Sequence, residues 1–304
     1  MNGILGIDVG FGNVKVFDGT QEYGFPSVYA ITDEGAEADN NPETIHFMLD
    51  GVRYYIGKKA VVTNGNSQFD QFDLMRHKLF TLVGICMATG GKDFTGTVGL
   101  GLPRADLKAM SSKLKSLAGK YSVEYNGTPV QINIEAIQVN IQGECVFDEI
   151  KQFEDVDGLN IAIIDIGQKT TDVSLFIDGI KVDNKSRSFD VGASQALTAI
   201  AEEYRSATGY EVENYAVPAR VRKGKIPKEL AEKYYKIAAE KILSLLSGLR
   251  WFSEELDRVY LIGGGCAFLQ PYLAEKMPTC ELHECYVFAN ARAYQLGRGA
   301  VNNG

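Results

Sequence analysis

Within eight positions near its amino end the chain sets an aspartate, a glycine turn and a lysine: Asp8, then Gly10-Phe11-Gly12-Asn13, then Lys15. An acid can organise a divalent cation, bare backbone amides can cradle an anion where no Cβ intervenes, and a lysine can neutralise phosphate as a point charge. Spacing excludes two phosphate motifs. A dinucleotide fingerprint needs a third glycine at Lys15 and a helix after the turn, and a Walker loop needs Ser or Thr after the lysine, again opening a helix. Here Val14, Val16 and Phe17 run with polar Lys15 and Asp18, which predicts strand, tight turn, strand, with Asp8 at the end of the first strand. An ordinary glycine hairpin would read the same way.

The pattern occurs twice. Roughly one domain length further on, IAIIDIGQKTTDVSLFIDG sets Asp165 and Gly167 where Asp8 and Gly10 stand. Ile161, Ile163 and Ile164 lead into the acid as Ile4, Leu5 and Ile7 do, and Val173 to Phe176 supply the second strand. Such agreement argues against two unrelated hairpins. A third turn, Gly263-Gly264-Gly265, lies between a buried strand at 259–262 and a helix starting near Ala267. Bare backbone there suits a flat ligand or a phosphate at a helix N-terminus, although a plain loop would look alike. Together the three turns suggest a nucleotide between two similar domains. Asp8 and Asp165 would then hold Mg²⁺ through water, and Lys15 would face phosphate.

The elements that must position these residues need room, and 304 residues allow two domains. Hydrophobic residues make up 45% and charged ones 23%, a balance that supplies a sizeable core. A formal net charge of −8 argues against an electrostatic grip on nucleic acid or an anionic membrane. The five cysteines lack C-x-x-C spacing, so a zinc or redox motif is not expected. The sequence shows no signal-peptide order and no membrane-length apolar run, and a cytoplasmic location is expected. Two amphipathic helices are predicted. One buries Ala196, Leu197, Ile200, Ala201 and Tyr204; the other, from about 228 to 249, buries Leu230, Tyr234, Ile237, Ala238, Lys241, Ile242, Leu245 and Leu249. The acidic run TDEGAEADNNPE (32–43) reads as a surface loop, and the basic run VPARVRKGKIPK (217–228) as a solvated loop or a contact to an acidic patch on a neighbouring subunit.

Asp8 to Lys15 resembles the first phosphate motif of the actin-like ATPase superfamily, which includes actin, the heat-shock chaperone ATPase domain and sugar kinases. Asp165-Ile166-Gly167-Gln168-Lys169-Thr170-Thr171-Asp172 resembles its second phosphate motif, and Leu261 to Gly265 its adenosine motif. The nearest likeness is to bacterial and archaeal actin-like proteins of the ParM type. Phe288 to Gly297 is similar to their last connecting helix, and Val139-Asn140-Ile141-Gln142-Gly143-Glu144 to their first connecting segment. The resemblance implies an α/β, actin-like fold of two ribonuclease H-like domains flanking a nucleotide cleft. Domain I would comprise residues 1–155 plus 285–304, and domain II residues 156–284.

For the site, the resemblance implies Mg²⁺ with ATP or GTP, and Gln142 orienting the attacking water, with Glu144 as the alternative because the register is open. Gln142 capping a turn is the bland reading. Lys169 reads either as a phosphate contact or as a solvated turn residue, and Asp172 as an organiser of water or a plain strand-start acid. The resemblance puts the second predicted helix beside the purine, so Glu240 and Lys241 are candidate base contacts, though solvated helix faces look the same.

The function implied is a filament-forming ATPase that partners with itself and segregates plasmid DNA through a DNA-binding adaptor. Two other classes share the fold. A small-molecule kinase would need a substrate pocket and a catalytic aspartate in the first domain, for which no motif is evident. A chaperone-like or regulatory ATPase would be expected to continue into a substrate domain, whereas this sequence stops soon after the connecting helix; the tail GAVNNG is not the amphipathic helix of a membrane-tethered relative.

Overall fold

The computed structural model describes residues 2–33, 44–63, 65, 72–251 and 255–297, and forms two compact units, Met1–Glu149 with Phe288–Gly304, and Ile150–Val287. From Glu34 onward the acidic run at 32–43 lies outside the described residues, as does the tail from 298.

The first unit carries β1 (Asn2–Val9), β2 (Asn13–Phe17), β3 (Glu22–Pro26), β4 (Tyr29–Thr32), β5 (Ile45–Leu49), β6 (Val52–Ile56), β7 (Phe94–Leu102), β8 (Gly119–Tyr125) and β9 (Thr128–Ile141). They form a sheet in the order β3-β2-β1-β7-β9-β8-β5-β6-β4. Strands β1, β7 and β9 run parallel, and β1 pairs with β2 as the expected hairpin. Helices α1 (Lys58–Val62), α2 (Leu74–Thr89) and α3 (Leu107–Lys115) follow in this unit, and the division between units falls within α4 (Val146–Phe153). Helix α2 begins where the Asp73 carboxylate accepts the Met75 and Arg76 amides at 2.9 and 3.3 Å, and stops at the left-handed Gly90.

The second unit carries β10 (Asn160–Ile166), β11 (Thr171–Ile177), β12 (Ile180–Lys181), β13 (Arg187–Phe189), β14 (Arg258–Ile262) and β15 (Cys280–Leu282), with α5 (Ala193–Thr208), α6 (Val217–Arg222), α7 (Lys228–Gly248) and α8 (Cys266–Ala274). Its sheet runs β12-β11-β10-β14-β15, with β13 also on β11. Strands β10, β14 and β15 are parallel and β10–β11 is a hairpin. The repeat seen in the sequence is therefore a repeat of topology, with β3-β2-β1-β7-β9 matching β12-β11-β10-β14-β15.

Two expectations need correction. The buried face of α7 is Ala231, Tyr235, Ala238, Ala239, Ile242 and Leu246, whereas Ile237 is 51% exposed and Lys241 is exposed. The true stripe is turned by about one residue from the predicted one, because alanines supply half of it and let α7 pack closely against α5 and α8. The basic run at 217–228 is not a plain loop. Its first half is α6, and Val217 and Ile226 are fully buried while Arg222, Lys223, Lys225 and Lys228 are exposed.

The chain returns to the first unit in α9 (Ala289–Gln295), which lies against β1 and β7. The approach requires bare backbone. A Cβ on Gly6 would collide with the Ala291 carbonyl, and one on Gly99 with the Tyr294 carbonyl. Gly6→Ala or Gly99→Ala should therefore cost about 1–3 kcal/mol or more of unfolding free energy. Gly3→Ala on the same strand meets nothing within 4 Å and should stay within about 0.5 kcal/mol of wild type. Urea titration of the three variants checks this, and equal midpoints would refute the contact.

Candidate functional site

The first hairpin places Asp8 opposite Lys15 in the β1–β2 register, and the two side chains form an ion pair at 2.8 Å. Both are largely buried, so the pair is set by the ladder and not by long flexible arms. The turn between them is held from within the unit. Ser27 Oγ donates to the Gly10 carbonyl at 2.6 Å, and the Ser27 amide to the Gly12 carbonyl at 3.0 Å. Arg76, at the start of α2, donates to the Gly10 carbonyl at 2.6 Å. Its guanidinium lies 4.9 Å from the centre of the Phe11 ring. Burial pushes the Arg76 pKa down to about 10, with Asp73 and Asp8 opposing that shift, so the side chain stays charged at neutral pH. Its neighbour His77 is pushed down to about 4, chiefly by burial, and is neutral there.

Gln142 follows the last residue of β9, and its amide donates to the Leu102 carbonyl at 2.9 Å. The registers align Ile7, Leu100 and Val139 across β1, β7 and β9. Asp8 and Gln142 thus stand toward the same carboxyl edge of the parallel strands, the edge at which α/β sheets bind ligands. Glu144 is ion-paired with Arg104, just beyond β7. Between them Gly143, at φ +76°, gives its amide to the Asn290 side chain at 2.9 Å.

In the second unit Asp165 is buried and stands opposite Asp172 in the β10–β11 register. Asp172 accepts from Ser188 Oγ and, at 3.2 Å, from Thr170 Oγ1. The turn closes through the Gly167 amide to the Thr170 carbonyl at 2.9 Å. Thr171 is anchored below by its hydroxyl on the Val191 carbonyl at 2.6 Å. The first amides of α5, Ala193 and Ser194, donate to the Gly167 and Gln168 carbonyls at 3.0 and 2.9 Å. Gln168, Lys169 and Thr170 are partly exposed around this turn.

The triple-glycine turn packs onto that hairpin. The Gly265 amide donates to the Ile166 carbonyl at 2.9 Å, and the register of β10 with β14 pairs Asp165 with Ile262. Gly263 takes φ +87°, and a Cβ there would strike Asp165 Oδ1 and the Ile166 carbonyl. Gly264 faces open space. Glu240 and Lys241 lie exposed on α7, with Lys241 Nζ donating to Gln195 of α5 at 3.0 Å. The structure thus joins Asp8, Gly10 and Lys15 in one unit, and Asp165, Gly167, Thr170, Thr171 and Gly263 to Gly265 in the other.

Sequence reasoning missed Arg76, Arg104, Ser27, Ser188 and Asn290. Each reaches its partner across more than a dozen residues, and no local spacing marks them. Among the described residues no group of three or more His, Cys, Asp or Glu side chains is arranged to hold a metal, and no helix is long and apolar enough to cross a membrane.

Comparison with known proteins agrees with this architecture. A family model for the N-terminal domain of actin-like proteins matches residues 6–144, and one for the C-terminal part of the MreB-like archaeal actin homologue matches residues 163–275. No curated protein matches the sequence significantly. Among solved structures, the archaeal actin homologue Ta0583 superposes with a TM-score of 0.82 at 21% identity, over 97% of this chain and 98% of that one. The same homologue in complex with ADP gives 0.77 at 23% identity, over 96% and 98%. A 15-stranded ParM filament from Clostridium botulinum gives 0.81 at 20% identity, over 98% and 99%. With residues 6–144 and 163–275 matched by actin-like family models and the whole chain by actin-like folds, this protein belongs to the actin-like protein family.

Proposed function

We propose that this chain binds Mg²⁺ with a nucleoside triphosphate, ATP or GTP, hydrolyses it, and assembles with further copies of itself into filaments whose stability follows the nucleotide. The observation that carries the reading is the repeated hairpin, an acid ending a central strand and a partly exposed turn after it, on the same strand topology in each unit. Gly10 to Asn13 with Lys15, and Gly167 to Thr171, address the phosphates. Gly263 to Gly265 take the nucleoside side, with Glu240 and Lys241 toward the base. Asp8 and Asp165 organise Mg²⁺ through water, since few carboxylates and hard oxygens suit an ion that keeps much of its hydration shell. That ion neutralises phosphate charge.

Phosphoryl transfer to water needs positioning more than acid–base strength. Gln142 can orient water through its amide, and the engagement of Glu144 by Arg104 favours Gln142 for that role. The ADP complex of the archaeal homologue supports nucleotide binding, and the ParM and Alp12 filaments support self-assembly. A chain of net charge −8 grips DNA poorly, so the proposed role in plasmid segregation, in the cytoplasm, runs through a DNA-binding adaptor protein.

Asp8→Ala and Asp165→Ala should each weaken Mg-dependent nucleotide affinity or turnover about tenfold or more with the fold retained. Titration with a fluorescent nucleotide measures this, and wild-type behaviour in both variants would sink the two-hairpin reading. Gln142→Ala should bind nucleotide nearly normally but release phosphate about 100-fold more slowly, a loss confined to the transition state. Glu144→Ala, run in parallel, should retain more activity; the reverse order would move the water-positioning role by two residues.

Assembly is tested by light scattering and sedimentation over a concentration series. Repeating one non-closing contact gives an open polymer, and a nucleotide that favours the assembling conformation lowers the critical concentration. That concentration should be lower with a slowly hydrolysed analogue than with the diphosphate. A chain that stays monomeric with every nucleotide to about 50 μM, a range in which weak contacts show, would rule out the filament.

A further inference from the structure

We propose that Arg76 is the positioning residue of the first phosphate turn: its buried guanidinium holds the Val9 and Gly10 carbonyls inward, so that two successive amides face the ligand as an anion-binding nest. The proposal rests on the nucleotide reading above. Arg76 is 1% exposed, among the largest fully buried side chains of the first unit. Burying a cation is expensive, and an apolar side chain of similar volume at such a site is often neutral or stabilising. Packing alone therefore gives no reason for an arginine here.

The geometry supplies one. Nη2 donates to the Gly10 carbonyl at 2.6 Å and, more weakly, to the Val9 carbonyl at 3.4 Å. Ser27 Oγ also donates to the Gly10 oxygen, at 2.6 Å. The guanidinium lies 4.9 and 5.9 Å from the ring centres of Phe11 and Phe80. Capping of α2 by Asp73 fixes where the arginine starts. The peptides here are trans, and in a trans peptide the carbonyl and the following N–H point in opposite directions. Holding the Val9 oxygen directs the Gly10 amide away from Arg76, and holding the Gly10 oxygen does the same for the Phe11 amide. Successive amides sharing one outward side make an anion-binding concavity. A charged donor on each carbonyl also polarises the peptide and strengthens its N–H as a donor. The cation thus acts on a phosphate through two peptide units without touching it.

The test is nucleotide affinity of the full chain, with Mg-ATP as the probe and thermal midpoint recorded for each variant. Arg76→Met should fold and raise Kd about tenfold or more, the size of a lost charge-assisted contact. Arg76→Lys should fall between, since an ammonium can reach a carbonyl but has no planar face for Phe11. Arg76→Ala should recover affinity with millimolar guanidinium and not with equal urea, a rescue that lost packing would not show. Should Arg76→Met fail to fold, the Arg76→Lys and rescue results decide. Folded variants with wild-type Kd, or losses that neither lysine nor guanidinium restores, overturn the assignment. A wild-type chain that binds no Mg-nucleotide overturns the nucleotide reading itself.

Discussion

The first unit depends on how near α9 can lie to its sheet. Gly6 and Gly99 leave the surface of β1 and β7 without side chains under the helix, and the carbonyls of Ala291 and Tyr294 occupy that space. Closeness then becomes positioning. From the same helix Asn290 captures the Gly143 amide beside Gln142, and Arg292 bonds Glu22 at 2.7 Å while lying 4.9 Å from the Phe17 ring. Helix α9 thereby braces the first hairpin and the proposed water-positioning turn together. A Cβ on Gly6 would disturb both, although it touches neither.

Much of this was legible because it is local. The two hairpins, the strand-to-helix glycine turn and the α5 face follow from residues a few positions apart, where strand alternation and helical spacing act directly. The α7 face was misread by one residue because Leu230, Tyr234 and Ile237 outweigh Ala231 and Ala239 in any hydrophobic pattern, yet small residues are what a close helix contact selects. The basic run was misread for a related cause. Val217 and Ile226 are isolated apolar residues among five cations, and their burial shows only once the helices that cover them are in place. Arg76, Arg104 and Asn290 carry no local mark at all. Their meaning lies in a carbonyl, a carboxylate and an amide reached through the fold.

The two hairpins share a topology but not an electrostatic character. Opposite Asp8 the register sets Lys15, with the buried Arg76 behind the turn. Opposite Asp165 it sets a second acid, Asp172, held by Ser188 and Thr170, beneath a turn whose carbonyls take the first amides of α5. Cations thus stand beside the first acid, whereas a second carboxylate stands beside the other. On the proposed function both hairpins meet phosphate and both acids organise the metal, with a different emphasis in each. The first hairpin suits direct contact with phosphate oxygens, where amides and a lysine meet negative charge. The second suits hydrated metal and ordered water, which need oxygen acceptors. The shared topology supplies the frame in which an acid ends a central strand. The residue facing that acid across the ladder, lysine in one copy and aspartate in the other, then distinguishes the two copies.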